Sequence, residues 1–135
     1  MQEKLNVGSA EVFKAGSALA GGVARRGETC GALTGAIMAV CCVVGRERLE
    51  DREQYGKAMK EADRVYTLFR DKIGHTICEE IHKIRHGKIY HLILPEEREA
   101  FHKDGGHSRK GCPEVCGVAA RIAAEVILNI KEKPA

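Results

Sequence analysis

Apolar residues recur at intervals of three and four along most of the chain, and this spacing predicts α-helices separated by glycine- and proline-containing turns. The predicted helices span residues 9–20, 29–45, 51–73, 76–86, 95–101 and 113–130. Residues 87–94 have strand character, but Pro95 follows them at once, so we expect an extended segment or a lone edge strand. The pattern therefore predicts an all-α fold, a compact bundle of about five to six helices in a single domain spanning residues 1–135.

The predicted helix at residues 29–45 is the longest apolar run and contains no charged residue. A membrane span needs about 20 apolar residues, so we expect no span here and a buried central helix instead. Gly31 and Gly35 share one face of this helix, which lets another backbone come close. Each glycine costs about 1 kcal/mol relative to alanine. We therefore expect a helix of the same chain, or a second subunit in a homodimer, to pack on this face.

Composition and charge exclude some classes of function. The chain has 135 residues, of which 44% are apolar and 30% charged, the balance of an ordinary globular domain. A net charge of +3, with only three Tyr and three Phe, is not the composition of a nucleic-acid-binding protein. The N-terminus lacks the continuous apolar region of a secretory signal, so we expect a cytoplasmic location.

Six cysteines are a high number for this length. In a cytoplasmic protein, dense cysteine indicates metal binding or redox chemistry more than structural disulfides. Cys30, Cys78 and Cys112 each stand at the start of a predicted helix, and Cys116 follows Cys112 by one turn. Helix N-termini stabilise thiolates, which are the nucleophiles of disulfide exchange and the ligands of zinc and iron–sulfur centres.

Cys41 and Cys42 lie towards the other end of the central helix. Cys41 is about 16 Å along the helix axis from Cys30, so the two cannot share a mononuclear site without a break in the helix. Free cysteine is often a small buried apolar residue, and that interpretation is as good as a functional one for this pair.

With these residues in place, the chain resembles the C_GCAxxG_C_C family of redox-active proteins. The segment GETCGALTGAIMAV resembles the family's Cys-Gly-Ala-x-x-Gly centre, with Cys30 as its cysteine. FRDKIGHTICEEI resembles the segment of the next family cysteine, here Cys78, and CPEVCGVAARIAAEVIL the last cysteine helix, here Cys112. The resemblance implies redox activity. Similar domains occur in split-Soret cytochromes, where an iron–sulfur centre accompanies haem.

One departure from the family concerns its first cysteine, which members carry upstream of the glycine-rich turn. This chain starts too late to include it, so either another cysteine takes its place or the chain is truncated. Cys116 is the strongest candidate for that place, with Cys41 and Cys42 as the alternatives.

Four functional hypotheses follow. The first is an electron carrier or oxidoreductase with an unidentified redox partner protein, in which Cys30, Cys78, Cys112 and Cys116 hold an iron–sulfur cluster, [2Fe–2S] being preferred. The second is a metal-free thiol–disulfide redox protein, in which Cys30 attacks with help from Arg25 or Arg26 and Cys78 or Cys112 resolves the mixed disulfide.

The third hypothesis is a zinc site in which His75 or His107 joins the cysteines. These two histidines are chosen because they are close to a cysteine in the sequence. By this criterion, His82, His86 and His91 are assigned no ligand role. The fourth hypothesis is a structural homodimer that packs through Gly31 and Gly35, without redox activity.

Overall fold

The computed structural model describes residues 1–132, which form seven α-helices and one short 3-10 helix. The helices are α1 (Gln2–Leu5), α2 (Ala10–Ala15), α3 (Gly31–Val44), α4 (Arg52–Ile73), α5 (Cys78–His86), α6 (Pro95–Lys103) and α7 (Cys112–Glu132). The 3-10 helix (Ser17–Leu19) lies between α2 and α3. The predicted all-α class is confirmed, since the described residues contain no β-strand and only one isolated antiparallel bridge, between Thr29 and Ile77.

The core lies between α3, α4 and α7, and each helix supplies the buried stripe that its apolar spacing predicts. On α7 the stripe consists of Val115, Ala119, Ile122, Ala123, Val126 and Ile127, which are the residues that the periodicity predicts. On α4 the stripe is narrower than predicted, because Tyr66 is 39% exposed and places its hydroxyl 3.2 Å from Thr76 Oγ1. The predicted central helix is α3, which packs against both of the other long helices. It is not buried all round as predicted, because only the face with Leu33, Ala36, Val40 and Val44 is buried.

Some helix boundaries differ from the prediction. Residues 9–20 form α2 and the 3-10 helix rather than one helix, because α2 ends with Gly16 as its C-cap. The short α1 is an additional helix that the apolar spacing does not predict. Helix α7 continues through Glu132, two residues beyond its predicted end.

Two segments between helices also differ from their predictions. Residues 87–94 form no strand but an irregular segment that buries Tyr90 and Leu92 against Phe101, giving a second, small core. Helix α6 extends to Lys103, two residues beyond its predicted end, and residues 104–110 form successive tight turns that place Gly106 against the Phe101 ring. The Gly106 carbonyl then accepts a 2.8 Å hydrogen bond from the amide of Cys112, which fixes the start of α7.

The turn before α3 is left-handed over five consecutive residues, from Gly21 to Arg25. Val23, Ala24 and Arg25 have φ angles of 58°, 51° and 64°, a conformation that costs a non-glycine residue about 1–2 kcal/mol. Gly22 is needed for a second reason, because a Cβ there would lie 2.7 Å from the Cβ of Cys78. The turn therefore runs directly against the start of α5.

The isolated bridge joins the starts of α3 and α5. The amide of Cys30 donates to the Thr76 carbonyl at 2.9 Å, and the amide of Cys78 donates to the Glu28 carbonyl at 2.7 Å. Two cysteines that are distant in sequence are thus held beside each other by backbone hydrogen bonds. Within residues 1–132, no helix combines the length and the apolar character that crossing a membrane requires.

Candidate functional site

A cavity of about 370 Å³ lies where the N-terminal ends of α3, α5 and α7 meet. All four cysteines predicted to form the site, Cys30, Cys78, Cys112 and Cys116, line this cavity. Cys41 lies outside it, and Cys42 is exposed and lines a different cavity next to α1 and α2. The four cysteines thus share one cavity, and their assignment as a functional site stays a prediction.

The predicted placement at helix starts is confirmed for three of these cysteines. Cys30 is the N-cap residue of α3, and Cys78 and Cys112 are the first residues of α5 and α7. Cys116 lies one turn further along α7, at the exposed side of the cavity. Three helix N-termini, with their unpaired amide groups, thus point towards one cavity lined by thiols.

We expected the helix starts to lower the pKa values of these thiols, but the pKa values are raised. Burial raises the pKa of the Cys78 thiol to about 12 and that of Cys112 to about 11. Burial also raises the pKa of Cys30, although the amides of Ala32 and Leu33 act in the opposite direction. Desolvation of the thiolate therefore outweighs the helix termini, and neither Arg25 nor Arg26 contributes to the pKa of Cys30.

The thiols also disfavour one another's ionisation. The neighbouring Cys30 adds to the raised pKa of both Cys78 and Cys112, and Cys116 adds to that of Cys30 and Cys112. Arg85 is the one nearby cation that lowers the pKa of Cys112, and its guanidinium is held in place by a 2.7 Å ion pair with Glu114. When these thiols ionise, their negative charges repel one another. A bound cation reduces this repulsion.

His82 lies within this group of thiols. It is only 2% exposed, and its Nε2 is 3.7 Å from Cys78 Sγ and 4.0 Å from Cys112 Sγ. Burial, with a smaller contribution from His86, lowers the pKa of His82 to about 4, so the ring is neutral at neutral pH. Among the described residues its Nδ1 has no hydrogen-bond partner.

The sequence contained a signal for His82, because it lies four residues from Cys78, nearer than His107 lies to Cys112, and the proximity criterion should have included it. Cys78 and His82 are four residues apart within the predicted helix at residues 76–86, and this spacing places both side chains on one face. Both the proximity criterion and the shared helical face therefore pair His82 with Cys78.

The two histidines that were predicted as zinc ligands have different surroundings. His75 is not part of the cavity lining, and its Nδ1 accepts a 3.0 Å hydrogen bond from the amide of Ile77. His107 does line the cavity, where its ring centroid is 5.2 Å from that of Phe101, and its Nδ1 is 3.4 Å from Nδ1 of His102. His86 also lines the cavity, whereas His91 does not.

The two glycines of α3 differ from each other. A Cβ on Gly31 would lie 2.7 Å from the Leu19 carbonyl oxygen, so the expected close backbone approach is present there. Its partner is the end of the 3-10 helix, not another long helix. A Cβ on Gly35 would meet no described atom within 4 Å, because Gly35 lines the open space of both cavities.

The donor atoms suit a soft transition metal in kind, because thiolates and a neutral imidazole are its preferred protein ligands. With the side chains as they stand, no three potential ligands among residues 1–132 are close enough together to hold a metal ion. Rotating a cysteine between staggered χ1 positions moves its sulfur by roughly 3 Å.

Comparison with known proteins gives one match. Residues 1–126 match the sequence model of the family described as "Putative redox-active protein (C_GCAxxG_C_C)". No curated protein and no solved structure matches the chain. The family match covers α1 to α6 and most of α7, and therefore includes every residue of the cysteine-lined cavity.

Proposed function

Because the chain belongs to the C_GCAxxG_C_C family of redox-active proteins, we propose that it is a cytoplasmic electron carrier with an iron–sulfur cluster in the cysteine-lined cavity. Cys30, Cys78, Cys112 and Cys116 are the proposed ligands, and [2Fe–2S] is the preferred cluster. Such a cluster accepts and releases one electron at a time, which suits exchange with a partner redox protein.

The observation that supports this proposal most strongly is the convergence of four thiols, from three helix N-termini, on one cavity of about 370 Å³. Each of these thiols has a raised pKa, and burial is the main cause. Iron binding replaces the thiol protons and balances the thiolate charge, so it offsets the cost of ionising these thiols in a buried site. The N-terminal amides of α3 are close enough to Cys30 to stabilise its thiolate, and such contacts raise a cluster's reduction potential.

The same pKa values argue against metal-free disulfide exchange as the main activity. The thiolate is the attacking species in that reaction, and a thiol with a pKa of about 12, such as Cys78, is almost entirely protonated at neutral pH. Cys30, the proposed nucleophile of the disulfide hypothesis, also has a raised pKa. A cluster-binding site therefore agrees better with the burial of these side chains.

The proposal is tested by anaerobic purification, followed by assays for iron, acid-labile sulfide and zinc and by a visible absorption spectrum. We expect iron and sulfide in equal amounts, together with the visible absorption of a thiolate-bound cluster. A colourless protein whose thiols are lost on mild oxidation would support disulfide chemistry instead, and zinc alone would support a closed metal site. Either result would contradict the cluster.

Paired variants connect the cluster to the cavity. Cys30→Ser should abolish the iron and sulfide content while the far-UV circular dichroism stays largely unchanged, because Cys30 caps α3 without contributing to its buried stripe. The control is Cys42→Ser, on the same helix but exposed and outside the cavity. If Cys30→Ser keeps its full cluster content, the ligand assignment is wrong.

A further inference from the structure

We propose that the second cavity, which lies between α3 and the N-terminal helices α1 and α2, binds an uncharged aromatic molecule that carries one polar group. The cavity has a volume of about 500 Å³, within the range of about 300–1,000 Å³ that is usual for small-molecule sites. The inference does not rest on the proposed cluster, because its lining does not include any of the four proposed ligand cysteines.

The first argument is the loose packing of the helices that enclose this cavity. Neither α1, α2 nor the 3-10 helix contains a buried residue. Phe13 lines the cavity and is 77% exposed, and Val12 and Met38 are only partly buried there. Such side chains gain contacts and lose exposure to water when an apolar molecule binds between them. The cavity therefore favours an apolar ligand.

The second argument concerns the chemical class of that ligand. An aromatic ring packs favourably on the Phe13 ring in an offset or edge-to-face arrangement, and the Met38 thioether makes favourable contacts with ring edges. The charged residues of the lining are Glu3 and Lys4, which have opposite signs and both belong to α1. The lining thus has no net charge, and it fits an aromatic molecule without one.

The third argument is the direction in which the cavity runs. It follows α3 from Gly35 to Cys42, a distance of about 10 Å along the helix axis. A Cβ on Gly8 would lie 3.7 Å from Gln2 and 3.9 Å from the Cys42 sulfur, so α1 and its polar side chains are at the Cys42 end. The ligand's ring is therefore expected towards Gly35, and its polar group towards α1.

The fourth argument is the connection to the cysteine-lined cavity. Gly16, Gly35 and Met38 line both cavities. A Cβ on Gly35 would meet no described atom within 4 Å, so the two cavities adjoin across this position. A ring over Gly35 is five residues from Cys30, about 7.5 Å along the axis of α3. The bound molecule is thus a neighbour of the thiols, as a small-molecule partner of the cysteine site would be.

The test uses 2-naphthol as the probe, titrated into the reduced, metal-free full-length chain with ¹³C-labelled methionine methyl groups. Of the three methionines, Met1 and Met38 line the second cavity, whereas Met59 lines neither cavity. We expect saturable shifts of the Met38 and Met1 methyl signals, nuclear Overhauser contacts from the naphthol ring to the Met38 methyl group, and an unchanged Met59 signal. Decahydro-2-naphthol, the saturated counterpart of the probe, should bind about tenfold more weakly.

Paired variants connect the binding to the cavity. Gly35→Leu should weaken the binding of 2-naphthol by about tenfold or more, because the new side chain enters the space that the two cavities share. The control is Gly56→Leu, which should leave the affinity unchanged. Gly56 also lies inside a helix with no described atom within 4 Å of a Cβ, but it lines neither cavity.

Several results would overturn the proposal. They are the absence of a saturable Met38 shift in the unsubstituted protein, an equal shift of Met59, equal affinity for the saturated probe, and undiminished binding by Gly35→Leu. The first three need no variant, so they decide the matter even if Gly35→Leu does not fold. A protein that sediments as a dimer and excludes 2-naphthol from Met38 would assign the cavity to a second copy of the chain instead.

Discussion

The three-helix core and the cysteine-lined cavity are built largely from the same helices but differ in almost every physical respect. In the core, Leu33, Val65 and Phe69 are fully buried among apolar side chains from α3, α4 and α7. At the cavity, polarisable thiols and a neutral imidazole face open space, and Gly35 has no covering side chain. Because α3 and α7 belong to both regions, packing in the core fixes the positions of Cys30 and Cys112. The core makes the fold rigid, whereas the cavity contains polar groups that lower the stability of the protein when they have no partner.

The largest effect is expected from removing a side chain from the core. Phe69→Ala should lower the free energy of unfolding by about 3–5 kcal/mol, because it leaves a cavity among the three long helices. On the cavity side, Cys116→Ser should change it by about 0.5 kcal/mol or less, since Cys116 is exposed. Urea unfolding of the metal-free protein measures both. Equal losses would show that the two regions do not differ as described.

A smaller effect is expected from the two glycines of α3. Gly31→Ala should destabilise the protein by about 1–3 kcal/mol, because its Cβ would meet the Leu19 carbonyl at 2.7 Å. Gly35→Ala should stabilise it by up to about 1 kcal/mol, because α3 gains a better helix former and the Cβ enters open space. Thermal unfolding and sedimentation provide the measurements. Destabilisation by Gly35→Ala with loss of a dimer would support the hypothesis of a homodimer through this face.

Two substitutions in the left-handed turn should change the stability of the protein in opposite directions. Val23→Gly should stabilise the protein by about 1 kcal/mol, because it relieves a β-branched residue at a φ of 58°. Gly21→Ala should destabilise it, since φ there is 68° and the Cβ would lie 2.9 Å from the Arg25 Cα. Thermal unfolding of both variants is the measurement. A less stable Val23→Gly protein would mean that the Val23 side chain contributes more than its conformation costs.

The smallest effect concerns pH and the small core around Phe101. Hydrogen bonds from Lys88 and Tyr90 hold the pKa of Asp104 below its ordinary value of 3.8. A carboxyl with a lowered folded-state pKa stabilises the protein above its unfolded-state pKa and loses this contribution as the pH falls through the folded-state value. Stability should therefore fall between about pH 5 and about pH 3, and less steeply in Asp104→Asn. An identical pH dependence in the variant would rule out this contribution.

Periodicity predicted the fold because burial of long helices leaves a direct trace in the sequence. The six buried residues of α7 and the start of α4 at the Asp51 cap could be read from spacing and capping alone. The grouping of the four cysteines could be predicted too, because helix starts in a small bundle tend to meet at its ends.

The rest of the site depends on information that is not local. The left-handed turn includes Val23, a residue type that disfavours this conformation. Backbone hydrogen bonds, such as the one from the Ala24 amide to the Ala18 carbonyl, impose the left-handed conformation on the turn. The tight packing of residues 104–110 depends on Gly106 contacting the Phe101 ring, which no spacing rule indicates. The contact between His82 and Cys112 depends on the tertiary structure, since the two residues are 30 positions apart in the sequence.

The bridge between Thr29 and Ile77 has a consequence for the order in which this protein matures. Because α3 and α4 lie between its two ends in the sequence, the pairing is non-local and cannot form before both helices have been synthesised. A growing chain on the ribosome therefore presents Cys30 and Cys78 as separate thiols long before they become neighbours. Since the last cysteines lie on α7, the C-terminal helix must also dock before all four sulfurs face one another. Loading of the proposed centre is thus expected to follow the synthesis and docking of α7, as a step performed on already folded helices.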